Sequence, residues 1–493
     1  MSPSPLLQLP NTYRAFFGAF SSLRPFQREV IEPILNGQDV ILQAATGSGK
    51  TEAVLAPCLE RVVRTAGAEA VLYIVPTRAL VHDLRRCLEP IMHERLELRL
   101  GVRTGDVKRL PTGQVAVVLT TPESLDVMLG STNRGVQAFL SRVRMLIIDE
   151  VHQLLYGYRG CHLAAVLQRL GQRSKTRLQK IALSATLAGP QAIRTTLGLQ
   201  PDAVWISSPV QRQIQPHFIH LKREDEEIVA FLNDLAGRFG CRKVLLFANS
   251  RSRCDQLFAL LRERGYFQHT TYLHYSNLNL RERQEVERQL QRHSQALCIA
   301  TSTLELGIDI GDVDTVVLYE PPESVTTFLQ RLGRANRQAQ TVSFWGICRG
   351  ARAGEQLVQF LALCHLARQG QIEQLEQAEQ AQAATTPQLS QLPSVLVQQV
   401  LSCLYERKQI RRASLQTVFP AQAQLLDTLL PGLETRGWLH SLGDADRPET
   451  WRGGWRYARA LRAYQIWSNF PDTDEPYTLE VDEQAVADLP TVL

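Results

Sequence analysis

A repeating alternation of near-continuous apolar runs with polar stretches of helical period constrains this chain more than any other feature. In the first half the runs are DVILQA (39–44), AVLYIVP (70–76), VAVVLTTP (115–122), MLIIDE (145–150) and KIALSAT (180–186). A strand with one wet face alternates apolar and polar residues; these runs do not. They read as strands buried on both faces, which requires a parallel sheet covered by helices on both sides. The pattern restarts with KVLLFANS (243–250), ALCIATS (296–302), TVVLYEPP (315–322) and TVSFWGIC (341–348). Between the two sets, ISSPVQRQIQPHF (206–218) has two prolines and no apolar period, and reads as a connection. The expectation is an α/β fold with two parallel-sheet domains in tandem, at 1–207 and 208–370.

The Gln- and Ala-rich stretch that follows ends in AATTPQLSQLP (383–393), so 371–392 reads as a linker. Residues 393–462 then offer three helical segments and a hairpin formed by GWLHS and WRYAR, which predicts a winged-helix-like domain. The tail, 463–493, has no Lys or Arg and seven carboxylates. A length of 493 residues suits about three domains. With 44% hydrophobic and 21% charged residues the chain can bury cores, which excludes a disordered or collagen-like protein.

Charge alone does not identify a partner, since the net charge is only +5. The basic residues are nearly all Arg, the better residue for planar contact with phosphate; only seven are Lys. None of the nine cysteines forms a CxxC pair, which argues against a zinc finger or an iron–sulfur cluster and fits a reduced, cytoplasmic protein. The N-terminus lacks the pattern of a signal peptide, and no run is apolar for 18 residues, so no membrane association is expected. The scattered histidines have no ligand spacing, and KREDEE (222–227) reads as a solvated helix face.

Three motifs carry chemistry. AATGSGKT (44–51) follows a strand and opens a helix, the context of a phosphate-binding loop, although Ala44 stands where the strict pattern has Gly. Gly47 and Gly49 let backbone N–H groups face phosphate oxygens, Lys50 reaches the β- and γ-phosphates, and Thr51 holds Mg²⁺. IIDEVH (147–152) ends a strand in two carboxylates at a sheet edge where ligands bind. Asp149 is the expected Mg²⁺ ligand and Glu150 the base for the attacking water. FLQRLGRANR (328–337) places Gln330, Arg331, Arg334 and Arg337 on one helix face or its approach. A solvated basic face would look the same. Here the arginines follow a second α/β core with no phosphate loop, so they can serve the first domain's nucleotide.

These segments together resemble the superfamily 2 helicases. LRPFQ, AATGSGKT, IVPTRAL, TTPESL, DEVH, LSAT, LLFANSRSRCD, IATSTLELGIDIGDVD and QRLGRANR are similar to that superfamily's motifs and stand in its order over 24–337. Within it, TSTLELGIDIGDVD, FLQRLGRANR and HYSNLNLRERQEVERQL resemble the long helicase-related (Lhr) family. WSNFPDTDEPYTLEVDE (467–483) looks like the start of that family's β-rich domain. The resemblance implies two RecA-like domains and a cycle of ATP-dependent, 3′ to 5′ movement on single-stranded nucleic acid, with ATP and Mg²⁺ as cofactors. It implies that Gln27 reads adenine, that Thr46 and Ser48 belong to the nucleotide loop and that Asp309 lies near the ribose. It also implies that His152, Ser184 and Thr186 couple hydrolysis to strand binding, with Arg334 and Arg337 as arginine fingers. Expected strand contacts are Thr77, Arg78, Thr121, Ser250, Arg251, Thr301 and Ser302, with helix capping the competing role for the hydroxyls. Glu123 would repel phosphate and reads instead as a helix cap.

The implied partners are single-stranded and tailed duplex nucleic acid, DNA before RNA or hybrid, bound by a monomer. The alternative is an RNA helicase of the DEAD-box kind; DEVH, QRLGRANR and the appended winged helix argue against it. A related helicase group with the LELGIDIG run carries a cysteine cluster that this sequence lacks. A scaffold with a dead ATPase core is disfavoured because Lys50, Thr51, Asp149, Glu150, Gln330 and the arginines are all present. The winged helix could bind a duplex or the exiting strand, or be a spacer packed on the second lobe, and its tryptophans read first as packing residues.

Overall fold

The computed structural model describes residues 4–489 apart from 45–46, 156, 175, 186–189, 209–212, 276–279, 302–303, 305–312, 336–340, 370–392, 443–448, 463–465, 467–476 and 482–483. The first lobe is a seven-stranded sheet of β1 (Val40–Ala44), β2 (Ala70–Ile74), β3 (Arg99–Arg103), β4 (Val115–Thr120), β5 (Val143–Ile148), β6 (Gln179–Ser184) and β7 (Val204–Ser208). Its order is β3-β4-β2-β5-β6-β1-β7 and every pairing is parallel. The second lobe holds β8 (Gln213–Leu221), β9 (Lys243–Phe247), β10 (Thr271–His274), β11 (Ala296–Ala300), β12 (Thr315–Leu318) and β13 (Thr341–Arg349). They run β10-β11-β9-β12-β13-β8, again all parallel. Helices cover both faces of each sheet and split each lobe's core into two apolar layers.

Nine apolar runs predicted nine strands, and the structure adds β3, β7, β8 and β10. All four are edge strands. Their residues are half-exposed, whereas β1, β2, β4 and β11 are buried throughout. An edge strand in a covered parallel sheet has no need of a continuous apolar run, so it leaves no such signal. Pro216 sits in edge strand β8, a position where a missing N–H costs no ladder bond. The stretch 206–218 is therefore mostly strand: β7 closes the first sheet and β8 opens the second.

The third unit runs helix Pro393–Arg407, β14 (Gln409–Arg411), helices Arg412–Val418 and Ala423–Thr435, β15 (Leu439–Ser441) and β16 (Thr450–Gly453). This is the element order of a winged helix, with an antiparallel sheet β14-β16-β15. The hairpin's second strand is TWRG and not WRYAR, which instead opens the helix Trp455–Arg462. A two-stranded antiparallel pair, β17 (Tyr477–Val481) and β18 (Gln484–Leu489), lies in the acidic tail. The expected linker falls outside the described residues.

Among the described residues the winged-helix-like unit packs on the first lobe. Cys161 and Ala165 of the helix Gly157–Arg173 share one apolar cluster with Val395, Val400, Leu404, Phe419 and Trp451. Gly130 allows the close approach, since a Cβ there would lie 2.5 Å from the Tyr405 ring. Asp126 is the hub of a buried polar cluster at this seam. It accepts hydrogen bonds from His162 (3.0 Å), Gln399 (2.8 Å), Ser402 (3.4 Å) and Arg169, and Arg169 also reaches Gln399 and Glu406. Burial opposes the Asp126 charge, but Arg169 and His162 outweigh it and hold the carboxyl well below its usual range.

Candidate nucleotide site and interlobe seam

β1 ends at Ala44, and the chain turns through Gly47 (φ +73°) and Gly49 (φ +86°) into the helix Lys50–Arg64. Left-handed φ at both glycines is what a side chain would resist. A Cβ on Gly49 would also lie 2.6 Å from Gln27 Nε2. Gln27 thus sits against the loop: its Nε2 donates to the Gly49 carbonyl (3.3 Å) and its Oε1 accepts from Arg24 N–H (2.9 Å). Thr46 lies outside the described residues.

β5 delivers the two carboxylates to the same sheet edge, because β1 and β5 run parallel on either side of β6. Lys50 Nζ lies 4.0 Å from Glu150 Oε1, and both side chains are buried. Tyr73 OH donates to Asp149 Oδ2 (2.7 Å) and Glu150 N–H to Asp149 Oδ1 (2.8 Å), which fixes Asp149 from two directions. Glu150 adopts φ +47°, a left-handed conformation uncommon outside glycine, and it holds the carboxylate over the loop. Burial and the adjacent Glu150 push the Asp149 carboxyl above its usual range. Burial acts on Glu150 too. There Lys50 and, from the second lobe, Arg334 prevail and hold the carboxyl below its usual range.

The donor set suits a magnesium nucleotide. Ser48 Oγ, Lys50 Nζ and Glu150 Oε2 are buried, with no hydrogen-bond partner among the described residues. Buried polar atoms of this kind are rare without a ligand or water to satisfy them. Two crowded carboxylates facing a lysine and a glycine turn suit a dication with phosphate, so the residues fit the group.

The second lobe meets this site through QRLGRANR. Gln330 Nε2 donates to His152 Nε2 at 2.6 Å, and His152 Nδ1 lies 2.8 Å from Ser184 Oγ. Burial lowers the His152 pKa, so the ring is neutral. If Nε2 accepts from Gln330, the proton is on Nδ1 and points to Ser184. His152 Nδ1 is also 3.6 Å from Glu150 Oε2. Base, histidine, serine and a glutamine of the other lobe form one connected group. Arg334 is buried behind them. Arg331 does not join it, contrary to the helix-face expectation. The helix ends at Leu332, and Arg331 turns into the second lobe, donating to Asn249 (2.9 Å) and stacking on Phe247. Thr186, Asp309 and Arg337 lie outside the described residues.

The expected strand contacts sit at the carboxyl ends of β2, β4, β9 and β11. Thr77, Thr121 and Ser250 cap the helices Arg78–Pro90, Pro122–Leu129 and Arg251–Arg264. Capping and phosphate contact are compatible, since both use a helix N-terminus. Arg78 and Arg251 are exposed, Thr301 is buried, and Ser302 lies outside the described residues. Glu123 does not cap its helix; Thr121 does. Glu123 instead pairs with Arg159 (3.0 Å), which also donates to the Pro76 carbonyl (2.6 Å) and so ties the loops after β2 and β4 together. Tyr73 and Arg159 were not singled out from the sequence. Only Tyr73 left a trace there, as a phenol inside an apolar run that needs a buried acceptor.

Two parallel-sheet lobes, with a phosphate loop on one and Gln330 and Arg334 of the other brought to it, define a two-lobed nucleotide-binding core. Residues 24–194 match the DEAD/DEAH box helicase family and 228–339 the helicase conserved C-terminal domain, so the chain belongs to the superfamily 2 helicases of the DEAD/DEAH type. Within that superfamily it is similar to Lhr proteins. It is 29% identical over 384 residues to the ATP-dependent helicase Lhr-Core of Methanocaldococcus jannaschii, covering 72% of this chain and 45% of that one. The structure of Mycobacterium smegmatis helicase Lhr bound to ssDNA and AMP-PNP superposes with a TM-score of 0.76 at 26% identity, over 96% of this chain and 64% of that one. The DEAD-box helicase Mss116 bound to ssRNA and UDP-BeF shares the fold, with a TM-score of 0.63 at 18% identity, over 86% of this chain and 93% of that one. The chain thus spans under half the length of the Lhr-Core relative. Among the described residues no helix is long and apolar enough to cross a membrane.

Proposed function

We propose that this protein is an ATP-dependent helicase or translocase that couples ATP hydrolysis to 3′ to 5′ movement on single-stranded nucleic acid, DNA before RNA, and to duplex unwinding. The observation that carries this reading is the bond from Gln330 of the second lobe to His152, beside Glu150 of the first. It makes the geometry of the hydrolytic base depend on lobe closure.

In this mechanism Lys50 and the loop N–H groups bind the phosphates, and Gln27 moves from Gly49 to read adenine. Glu150 orients the attacking water and takes its proton, and Arg334 and Arg337 stabilise charge on the transferred phosphoryl group. Mg²⁺, held by Thr51 and Asp149, would neutralise phosphate charge. Loss of the γ-phosphate removes contacts to both lobes and lets them part. Thr77, Arg78, Thr121, Ser250, Arg251, Thr301 and Ser302 hold the strand mainly by its phosphates. His152, Ser184 and Thr186 carry the coupling, and Asp309 approaches the ribose. The nine free thiols, most of them buried, favour a reducing cytoplasmic setting, and the motor works as a monomer.

The test is ATP turnover by the purified chain with matched single-stranded DNA and RNA, followed by unwinding of 3′- and 5′-tailed duplexes. DNA-stimulated turnover with unwinding of the 3′-tailed substrate is expected. Activity restricted to short RNA duplexes would favour the DEAD-box mode.

A further inference from the structure

The winged-helix-like unit distributes its charge in an unusual way. The third helix of such a unit is the one that ordinarily enters a nucleic-acid groove. Here that helix, Ala423–Thr435, carries Asp427 and Glu434 and no Lys, Arg or His. It has nothing to attract phosphate. Arg407, Lys408, Arg411 and Arg412 lie around β14, and three more basic residues stand on the helix that follows β16. Trp455–Arg462 has Arg456, Arg459 and Arg462, all exposed, and no carboxylate, while Tyr457 and Ala460 face the core. On the adjoining sheet the exposed Arg452 of β16 stands between His440 of β15 and Gln409 of β14.

An aromatic ring opens this basic stripe. Trp455 is 64% exposed. The unit's other described tryptophans are packed: Trp451 is fully buried and donates to Glu434, and Trp438 is half-buried against the core. The indole of Trp455 is nonetheless held in place. Its Nε1 edge lies on the backbone of Gly437 (φ +74°), where a Cβ would come within 2.2 Å, and Arg456 lies 5.2 Å from the ring centroid. An exposed, positioned ring beside three arginines combines a stacking surface with charge that tracks a phosphate backbone.

We propose that the helix Trp455–Arg462 is a second single-strand binding site, in which Trp455 stacks on an unpaired base and Arg456, Arg459 and Arg462 contact the flanking phosphates. The third helix takes no part. This inference rests on the helicase reading for its ligand class, and charge complementarity chooses nucleic acid over a protein partner.

The test uses the full chain, fluorescein-labelled oligothymidylate and fluorescence anisotropy at several salt concentrations, with the melting temperature as a control for folding. Trp455→Ala is expected to weaken binding about 5- to 100-fold, and Trp455→Phe to recover most of it. Replacing the three arginines by Gln should flatten the dependence of log affinity on log salt by about 2. Asp427→Ala on the third helix should not weaken binding. Unchanged affinity in Trp455→Ala and an unchanged slope in the arginine variant would overturn the proposal, as would self-association through this face with no effect on the oligonucleotide. Wild-type chain that binds no oligothymidylate would sink the helicase reading itself. Strand-stimulated turnover with indifferent variants would sink only the second site.

Discussion

Two seams divide this molecule, and they are built from opposite materials. Among the described residues the seam between the lobes is mostly polar. It contains the His152–Gln330 bond and, between the helices Arg78–Pro90 and Leu280–Arg292, a cavity of about 570 Å³ lined by Arg85, Arg86, Glu89, Arg283 and Arg288. Most of its charges are satisfied within their own lobe, as Arg85 is by Glu89 and Arg288 by Glu285. Among the described residues, parting the lobes would leave few buried groups without partners. The seam between the first lobe and the winged-helix-like unit is apolar and closed, with Asp126, Arg169, His162 and Gln399 all buried. Opening it would strand a buried ion. The difference assigns motion to the first seam and rigidity to the second.

Damage at the first seam should abolish work and spare stability. Arg334→Ala should lower ATP turnover by about 10³- to 10⁵-fold. Glu150→Gln should lower it about 10²- to 10⁴-fold while ATP binding, measured by calorimetry, persists. Robust turnover by Glu150→Gln would mean the base is another residue. Damage at the second seam should do the reverse. Asp126→Ala leaves Arg169 buried without its main counter-charge, and should cost about 3–5 kcal/mol in urea unfolding.

Acid sharpens the same contrast. The Asp126 carboxyl titrates lower in the folded protein than in the unfolded chain, where it titrates near about 3.9. Its stabilising contribution is complete above that value and is lost as pH falls toward the folded value. The urea midpoint of the wild type should therefore hold down to about pH 4 and fall toward that of Asp126→Asn as the pH drops further. The smallest effect belongs to Gln330→Ala. Loss of one hydrogen bond to a neutral ring should cost about tenfold in strand-stimulated turnover, with the strand-free rate nearly unchanged.

The central strands and the nucleotide loop were legible because their chemistry is local: β1 is an apolar run, and GSGKT follows it directly. The four edge strands were not, since half-exposed residues such as those of β8 obey no apolar period. The winged-helix order was visible, but its docking face was not. Asp126, Arg169 and Gln399 are each ordinary polar residues on separate helices, and only the tertiary fold places them in one buried cluster. Arg331 shows the converse limit. Spacing put it among the site arginines, yet the helix ends one residue later and its side chain serves the lobe's own core.

Paired spin labels would test the central claim most directly. With Cys87→Ser and Cys241→Ser removing the accessible native thiols, labels on cysteines placed at Ser141, Glu263 and Gln424 report the first lobe, the second lobe and the winged-helix-like unit. Adding a non-hydrolysable ATP analogue and single-stranded DNA should shorten and narrow the 141–263 distance and leave 141–424 unchanged. A shift in 141–424 with 141–263 fixed would contradict the account.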